Sequence, residues 1–318
     1  MSQETLKIGS LVAARGEKTF GVNEFSVDGR PCRLPMWLVN GNSDGPLLVV
    51  TAGVHAAEYA SIAAALDLGR SADPARLRGS LVVVPVLNVA GFGVRSIYVS
   101  PLDGKNLNRV FPGKPDGTAS EQLADWVFHT VIERADYYVD LHGGDLVEAL
   151  VPFTIMFRSG EEVTDGASLQ MAKAFGIHYL VRSETPGSVY ASATRAGIPS
   201  ILAEAGGQGI WTPRDVGTHV EGLDNLMRHL GMVPGLPPEP KPYTLLERFL
   251  WLRSEHDAFW YPGTAVGDAV KSGQLLGCIR DHEGRTLQSA VSPADGRVLF
   301  IVSSLAINNG DPLLAVGA

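Results

Sequence analysis

Cysteine is scarce: the chain of 318 residues holds two, Cys32 and Cys278, far apart and outside any C-x-x-C pattern. Such a pair fits reduced thiols better than a disulfide framework, and the count excludes a zinc site built from thiolates. Long apolar runs are missing as well. Runs such as 47–50 and 81–84 are of strand length, far below the roughly 20 residues that span a bilayer. Basic stripes are also absent. The 26 Lys and Arg residues are scattered against 34 Asp and Glu, for a formal charge of -8, so nucleic acid and anionic membrane are poor partners. The opening Met1-Ser2-Gln3-Glu4-Thr5 has no basic region leading into an apolar stretch. It does not read as a secretion signal, and a cytoplasmic location is expected by default. No G-x-S-x-G elbow, P-loop or G-x-G-x-x-G fingerprint occurs, Gly91-Phe92-Gly93 lacking the third glycine. Serine-hydrolase and nucleotide-binding chemistry therefore leave no trace.

What is present is a globular composition, 45% hydrophobic and 19% charged, in a chain longer than one typical domain and shorter than three. Residues 233–242 include five prolines, each fixing φ and removing a backbone donor, so neither helix nor central strand is expected there. This predicts a larger domain over 1–233, a linker over 234–242 and a smaller domain over 243–318. Ahead of the linker, apolar runs at 47–51, 81–85, 137–141 and 201–203 read as strands. Segments 58–69, 120–134 and 166–176 carry helical spacing, with Ser120 expected as an N-cap. The alternation predicts an α/β fold, a sheet with helices on both faces, whose ligand sites gather where strands end at the carboxyl edge. Past the linker, strands and frequent glycines (Gly263, Gly267, Gly273, Gly277, Gly284, Gly296) predict a small all-β domain.

The strand at 47–51 runs into Ala52-Gly53-Val54-His55-Ala56-Ala57-Glu58. A histidine and a carboxylate thus stand three apart at a strand-to-helix junction, and both are good zinc ligands. Chance and capping also produce H-x-x-E, so a third ligand is needed. Tyr137-Tyr138-Val139-Asp140-Leu141-His142-Gly143-Gly144 offers His142 where an apolar run stops and two glycines let the chain turn. Asp140 is placed to orient it, with a purely structural carboxylate as the alternative. Glu204 ends the apolar run of Pro199-Ser200-Ile201-Leu202-Ala203-Glu204 beside Gly206-Gly207. A charge there is costly unless paired, functional or turned to solvent. Arg109 carries a planar donor fork suited to a carboxylate, with Asn108 beside it.

Together, His55-x-x-Glu58 and a distant His142 in Asp-Leu-His resemble the zinc carboxypeptidase superfamily. Asp103-Gly104-Lys105-Asn106-Leu107-Asn108-Arg109-Val110-Phe111-Pro112-Gly113, with its N-L-N-R-x-F-P-G, is similar to the succinylglutamate desuccinylase/aspartoacylase branch. The resemblance covers roughly 47–209, and the β-rich tail also resembles that branch. It implies a zinc-carboxypeptidase-like mixed sheet flanked by helices, with a smaller C-terminal all-β domain. It further implies one Zn2+ per chain on His55, Glu58 and His142 with the fourth position open for water, Glu204 as catalytic base, and Asn108 and Arg109 on the substrate. Family members also use an arginine ahead of the Asn-Arg pair for the oxyanion. Arg95 is the arginine available in that loop, although its spacing from Pro101 and Asp103 departs from the family pattern.

The implied reaction is hydrolysis of the amide bond of a small N-acyl amino acid or N-acyl diamino acid. Asp145 and Glu148 follow His142 within six residues. Carboxylates so close to a metal ligand would repel acidic substrates and suit an amine, with Asp145 or Glu148 holding it. The plainer alternative has Asp145 capping a turn and Glu148 solvated. A zinc carboxypeptidase trimming short peptides is the competing enzyme reading, and a ligand-binding pseudoenzyme the competing class. Val266–Gly277 and Ser292-Pro293-Ala294-Asp295-Gly296 resemble the turns of a biotinyl/lipoyl barrel sandwich, but the Asp295 hairpin lacks a carrier lysine. A structural β-domain is the expectation for it. The expected partner is a small N-acyl substrate, and homo-oligomerisation stays open.

Overall fold

The computed structural model describes residues 4–318 apart from 238 and 240; Met1 to Gln3 of the leader reading, and Pro238 and Pro240 of the linker, lie outside the described residues. Five strands precede the first helix: β1 (Thr5–Ile8), β2 (Leu11–Ala14), β3 (Lys18–Val27), β4 (Arg30–Asn40) and β5 (Ser43–Ala52). There follow α1 (Tyr59–Ser71), β6 (Arg78–Val84), α2 (Val89–Val94), α3 (Ala119–Thr130), β7 (Tyr137–His142), β8 (Glu148–Leu150) and β9 (Phe153–Phe157). After these come α4 (Glu162–Phe175), β10 (Tyr179–Ser183), α5 (Val189–Arg195), β11 (Ser200–Glu204), α6 (Pro213–His229) and β12 (Thr244–Leu246).

Nine of these strands form one mixed sheet in the order β12-β10-β9-β11-β7-β5-β6-β4-β3. The centre, β6-β5-β7-β11, is parallel throughout. β9 runs antiparallel to β11 and parallel to β10. Side chains alternate across the sheet. Leu48, Val50, Val139, Leu141, Ile201 and Ala203 face a core closed by α1, α4 and α6. Val49, Tyr138 and Leu202 face the opposite core, closed by α3 and α5. Truncating one of these fully buried residues, Leu141→Ala for instance, is expected to cost about 2–5 kcal/mol. The α/β architecture with added C-terminal sheets is therefore present.

α3 begins earlier than its apolar spacing predicts. Glu121 Oε2 accepts from the Thr118 backbone N–H at 2.9 Å and from Thr118 Oγ1 at 3.0 Å. The Thr118-x-x-Glu121 spacing of a capping box makes Thr118 the N-cap in place of Ser120. Ser120 instead sits in the first turn, where its N–H and Oγ both donate to Asp103, at 2.8 Å each. That tie fastens the loop carrying residues 103–109 to the helix.

The C-terminal strands are β13 (Phe249–Arg253), β14 (Ala258–Pro262), β15 (Ala269–Val270), β16 (Leu275–Arg280), β17 (Thr286–Val291), β18 (Gly296–Val302), β19 (Ala306–Ile307) and β20 (Pro312–Gly317). They form two sheets, β13-β20-β18-β15 and β17-β16-β14-β19, around Trp260, Ile279, Val298 and Leu314. Two strands cross the boundary expected at the prolines. β12, beyond it, adds to the large sheet beside β10, while β8, ahead of it, pairs antiparallel with β18. No helix of the described residues is long and apolar enough to cross a membrane.

Candidate active site

The parallel strands β5, β7 and β11 all end on one edge of the sheet, and that edge collects the chemistry. Past β5 the chain turns at Gly53, which adopts φ 64° and would press a Cβ to within 3.0 Å of the Val86 backbone. His55 follows, and Glu58 stands at the N-cap of α1 without using its side chain as a cap. His142 is the last residue of β7 and Glu204 the last of β11. Gly143 is needed for close approach, since a Cβ there would lie 2.5 Å from the Ala205 carbonyl oxygen.

His55, Glu58 and His142 meet, with one donor atom from each within 4.8 Å of the others. His55 Nδ1 lies 2.7 Å from Glu58 Oε1, and His142 Nδ1 lies 2.9 Å from Glu58 Oε2. The far side of each ring is fixed. Asn106 Oδ1 accepts the Asn108 backbone N–H at 2.8 Å, so His55 Nε2, 3.1 Å away, donates to it. His142 Nε2 donates to Asp140 Oδ2 at 3.1 Å, and Asp140 Oδ1 accepts from Thr51 Oγ1 at 2.8 Å. With Nε2 so engaged, Nδ1 of each ring faces Glu58 and is the atom that would coordinate a metal ion. Burial opposes the charges, yet the two imidazoles hold Glu58 well below the ordinary carboxylate range. Glu58 and Asp140 push His142 up despite its burial. The donor set of two imidazole nitrogens and a carboxylate fits a zinc ion.

Glu204 completes this edge. Its Oε2 is buried and has no hydrogen-bond partner. Desolvation, followed by the charge of Glu58, raises its carboxyl well above the usual range, with His142 opposing. All four residues line a cavity of about 760 Å³, together with Tyr98, Asn108, Arg109, Glu148 and Tyr190. The β-rich section supplies much of the outer wall, including Phe249, Trp251, Arg253 and Phe300.

Of the remaining residues singled out in the sequence, Arg109 opens into the cavity, its Nη1 donating to the Asn108 carbonyl at 2.7 Å. Asn108 is buried and its Oδ1 accepts the Val189 N–H at 3.0 Å, so it also pins the start of α5. Glu148 faces the cavity, and burial raises its carboxyl to about 8. Asp145 does not line the cavity. Its two oxygens accept the N–H groups of Tyr98 (2.9 Å) and Leu146 (2.6 Å). Arg95 lies apart as well: it ends α2 in a left-handed conformation with φ 55° and is exposed outside the cavity lining. Asn106 and Tyr98 were not singled out beforehand. Asn106 stands in the quoted Asn106-Leu107-Asn108-Arg109, which is the signal that would have found it.

A His/Glu/His set at the carboxyl edge of this mixed sheet defines a site of the zinc-carboxypeptidase-like class. The chain belongs to the succinylglutamate desuccinylase/aspartoacylase family, whose catalytic-domain model matches residues 44–230. It is 30% identical over 271 residues, 83% of this chain and 78% of the relative, to an N-alpha-acetyl-L-2,4-diaminobutyric acid deacetylase of Halomonas elongata. Among solved structures it resembles the product-bound ectoine utilization protein EutE (DoeB) of Ruegeria pomeroyi, with TM-score 0.87, 26% identity and 99% of each chain covered. A succinylglutamate desuccinylase/aspartoacylase of Rhodobacter sphaeroides superposes with TM-score 0.84 at 25% identity over 94% of each chain.

Proposed function

We propose that this chain is a zinc-dependent deacylase that hydrolyses the amide bond of a small N-acyl diamino acid. The observation that carries the reading is Glu204, one of whose carboxylate oxygens is buried and unpartnered beside the His55/Glu58/His142 set. A zinc ion held by the two Nδ1 atoms and Glu58 would polarise the scissile carbonyl and acidify a water. Glu204 takes a proton from that water as its oxygen adds to the carbonyl carbon. It then gives the proton to the amide nitrogen as the C–N bond breaks, releasing the free amine and a carboxylic acid. Its buried, unpartnered oxygen is available for both tasks. Arg109 binds the substrate carboxylate through its guanidinium fork.

The substrate class rests on Glu148, whose buried carboxyl faces the cavity where an ammonium group would compensate it, while one oxygen, Oε2, also accepts the Asp145 N–H at 2.7 Å. The relative from Halomonas elongata, named for a diaminobutyric acid derivative, supports that choice. Asp145, whose oxygens are spent on backbone groups, is assigned to shaping the loop rather than to the substrate. The test is a panel of N-acetyl-2,4-diaminobutyrate, N-acetylaspartate, N-succinylglutamate and dipeptides, with zinc determined on the same protein purified without chelator. Preference for the diamino compound with stoichiometric zinc is expected. Preference for acidic substrates or dipeptides, or absence of zinc, would overturn the reading.

A further inference from the structure

The cavity is far larger than an N-acetyl diamino acid requires, at about 760 Å³, near the upper end for pockets that hold drug-sized molecules. Its excess has two sides, a charged one that carries Arg158, Arg182, Glu184 and Glu247, and an apolar one. Phe153 is the register partner of Glu204 on the adjacent strand, so an apolar wall begins directly beside the proposed base. From there the rings run outward in contact: Phe153 to Phe249 at 5.5 Å between centroids, Phe249 to Trp251 at 5.0 Å, and Trp251 to Phe300 at 5.1 Å. Leu150 and Ile155 flank this path. Phe153 and Phe300 are buried at the base of this wall, but packing does not consume the rest. Trp251 is 40% exposed, and Phe249, Leu150 and Ile155 are only half-buried. Apolar side chains left partly uncovered inside a concave site, Trp251 and Phe249 foremost, are a surface for an apolar ligand group.

The proposed function gives Arg109 and Glu148 to the amino-acid half of the substrate. The scissile carbonyl carbon has one other substituent, the acyl chain. We propose that the Phe153–Phe249–Trp251–Phe300 wall is an acyl-binding channel, and that the substrate class includes N-acyl diamino acids whose acyl group is a linear chain of several carbons. The inference rests on the deacylase reading and names its acyl specificity. Each methylene laid on such a wall is removed from water, which corresponds to on the order of two- to fourfold per carbon in kcat/KM.

The experiment uses 2,4-diaminobutyrate carrying acetyl, butyryl or hexanoyl on the same nitrogen. kcat/KM should rise from acetyl to hexanoyl, and calorimetric affinity for the metal-free protein should rise in the same order. Trp251→Ala should lower the hexanoyl-to-acetyl ratio of kcat/KM about tenfold, and Trp251→Phe should restore most of it. Because the Trp251 side chain is partly exposed, its replacement is compatible with folding. Acetyl preferred over hexanoyl, or a ratio unchanged in Trp251→Ala, would overturn the channel and leave the deacylase standing. Hydrolysis of no compound in the series would overturn both.

Discussion

Glu204 and His142 are register partners on adjacent parallel strands, each the final residue of its own. The sheet itself therefore sets the distance between the proposed base and a proposed metal ligand, with no flexible loop between them. Glu204→Gln should keep the zinc, because the three donors are untouched. Turnover should fall on the order of 10²-fold or more, as expected when a general base is lost. Elemental analysis beside kcat checks it, and near-normal turnover would count against the role.

Asp140 holds the outer nitrogen of His142 and is itself held by Thr51. Asp140→Asn should weaken zinc affinity by about 10–100-fold, whereas His142→Ala should abolish stoichiometric binding. Competition against a chromophoric chelator measures both. Equal affinity in Asp140→Asn would remove Asp140 from the metal site.

Glu148 gives a pH dependence with a definite sign. Its carboxyl is raised by burial from 4.5 to about 8 in the folded chain. Between those values the folded state keeps a proton that the unfolded state has lost, so this contribution is whole below about pH 4.5 and drains away as pH rises toward 8. The metal-free protein should melt at progressively lower temperature over that window, and Glu148→Gln should flatten the trend. A wild-type slope retained by the variant would show that other groups carry it.

Selectivity separates the two neighbouring carboxylates. Glu148→Gln should reduce kcat/KM for N-acetyl-2,4-diaminobutyrate by about 10–100-fold, the range for losing a charged hydrogen bond. An analogue without the second amine should be affected much less. Asp145→Asn should leave the substrate ranking alone and lower the melting temperature, since its oxygens hold the N–H groups of Tyr98 and Leu146. A changed ranking in Asp145→Asn would return that residue to the substrate.

Arg95→Ala should alter kcat by less than about twofold, as the side chain is exposed and outside the cavity lining. A loss of 10²-fold would restore the oxyanion role that the family pattern suggests.

The strands around the site were legible in the sequence because a buried parallel strand is a short, nearly continuous apolar run, and 47–51, 137–141 and 201–203 each fall within one. The three donors were legible for a related reason: each follows closely on such a run, so strand order and edge are enough to gather them. Asn106 was not, because its value comes from meeting His55 across 51 positions of chain. For Asp145 the sequence leaves substrate binding and turn capping both open, since its distance from His142 along the chain says nothing of where its oxygens point; they accept the N–H groups of Tyr98 and Leu146. The hairpin of β3 and β4 turns on Asp28 and Gly29, both at positive φ. That dipeptide is a recognised turn signal, yet no strand was assigned there. Arg95, whose spacing departs from the family pattern, lies exposed outside the cavity lining.

The pairing of β8 with β18 ties Glu148, the proposed amine-binding residue, to the C-terminal strands, with Val302 as its register partner. The two sections are therefore not interchangeable modules. A chimera that joins residues 1–233 to the tail of a relative would have to rebuild that strand pair before it could recognise an amine. On the proposed role of Glu148, the tail would take part in choosing the substrate through a backbone ladder, without itself supplying the recognising carboxyl.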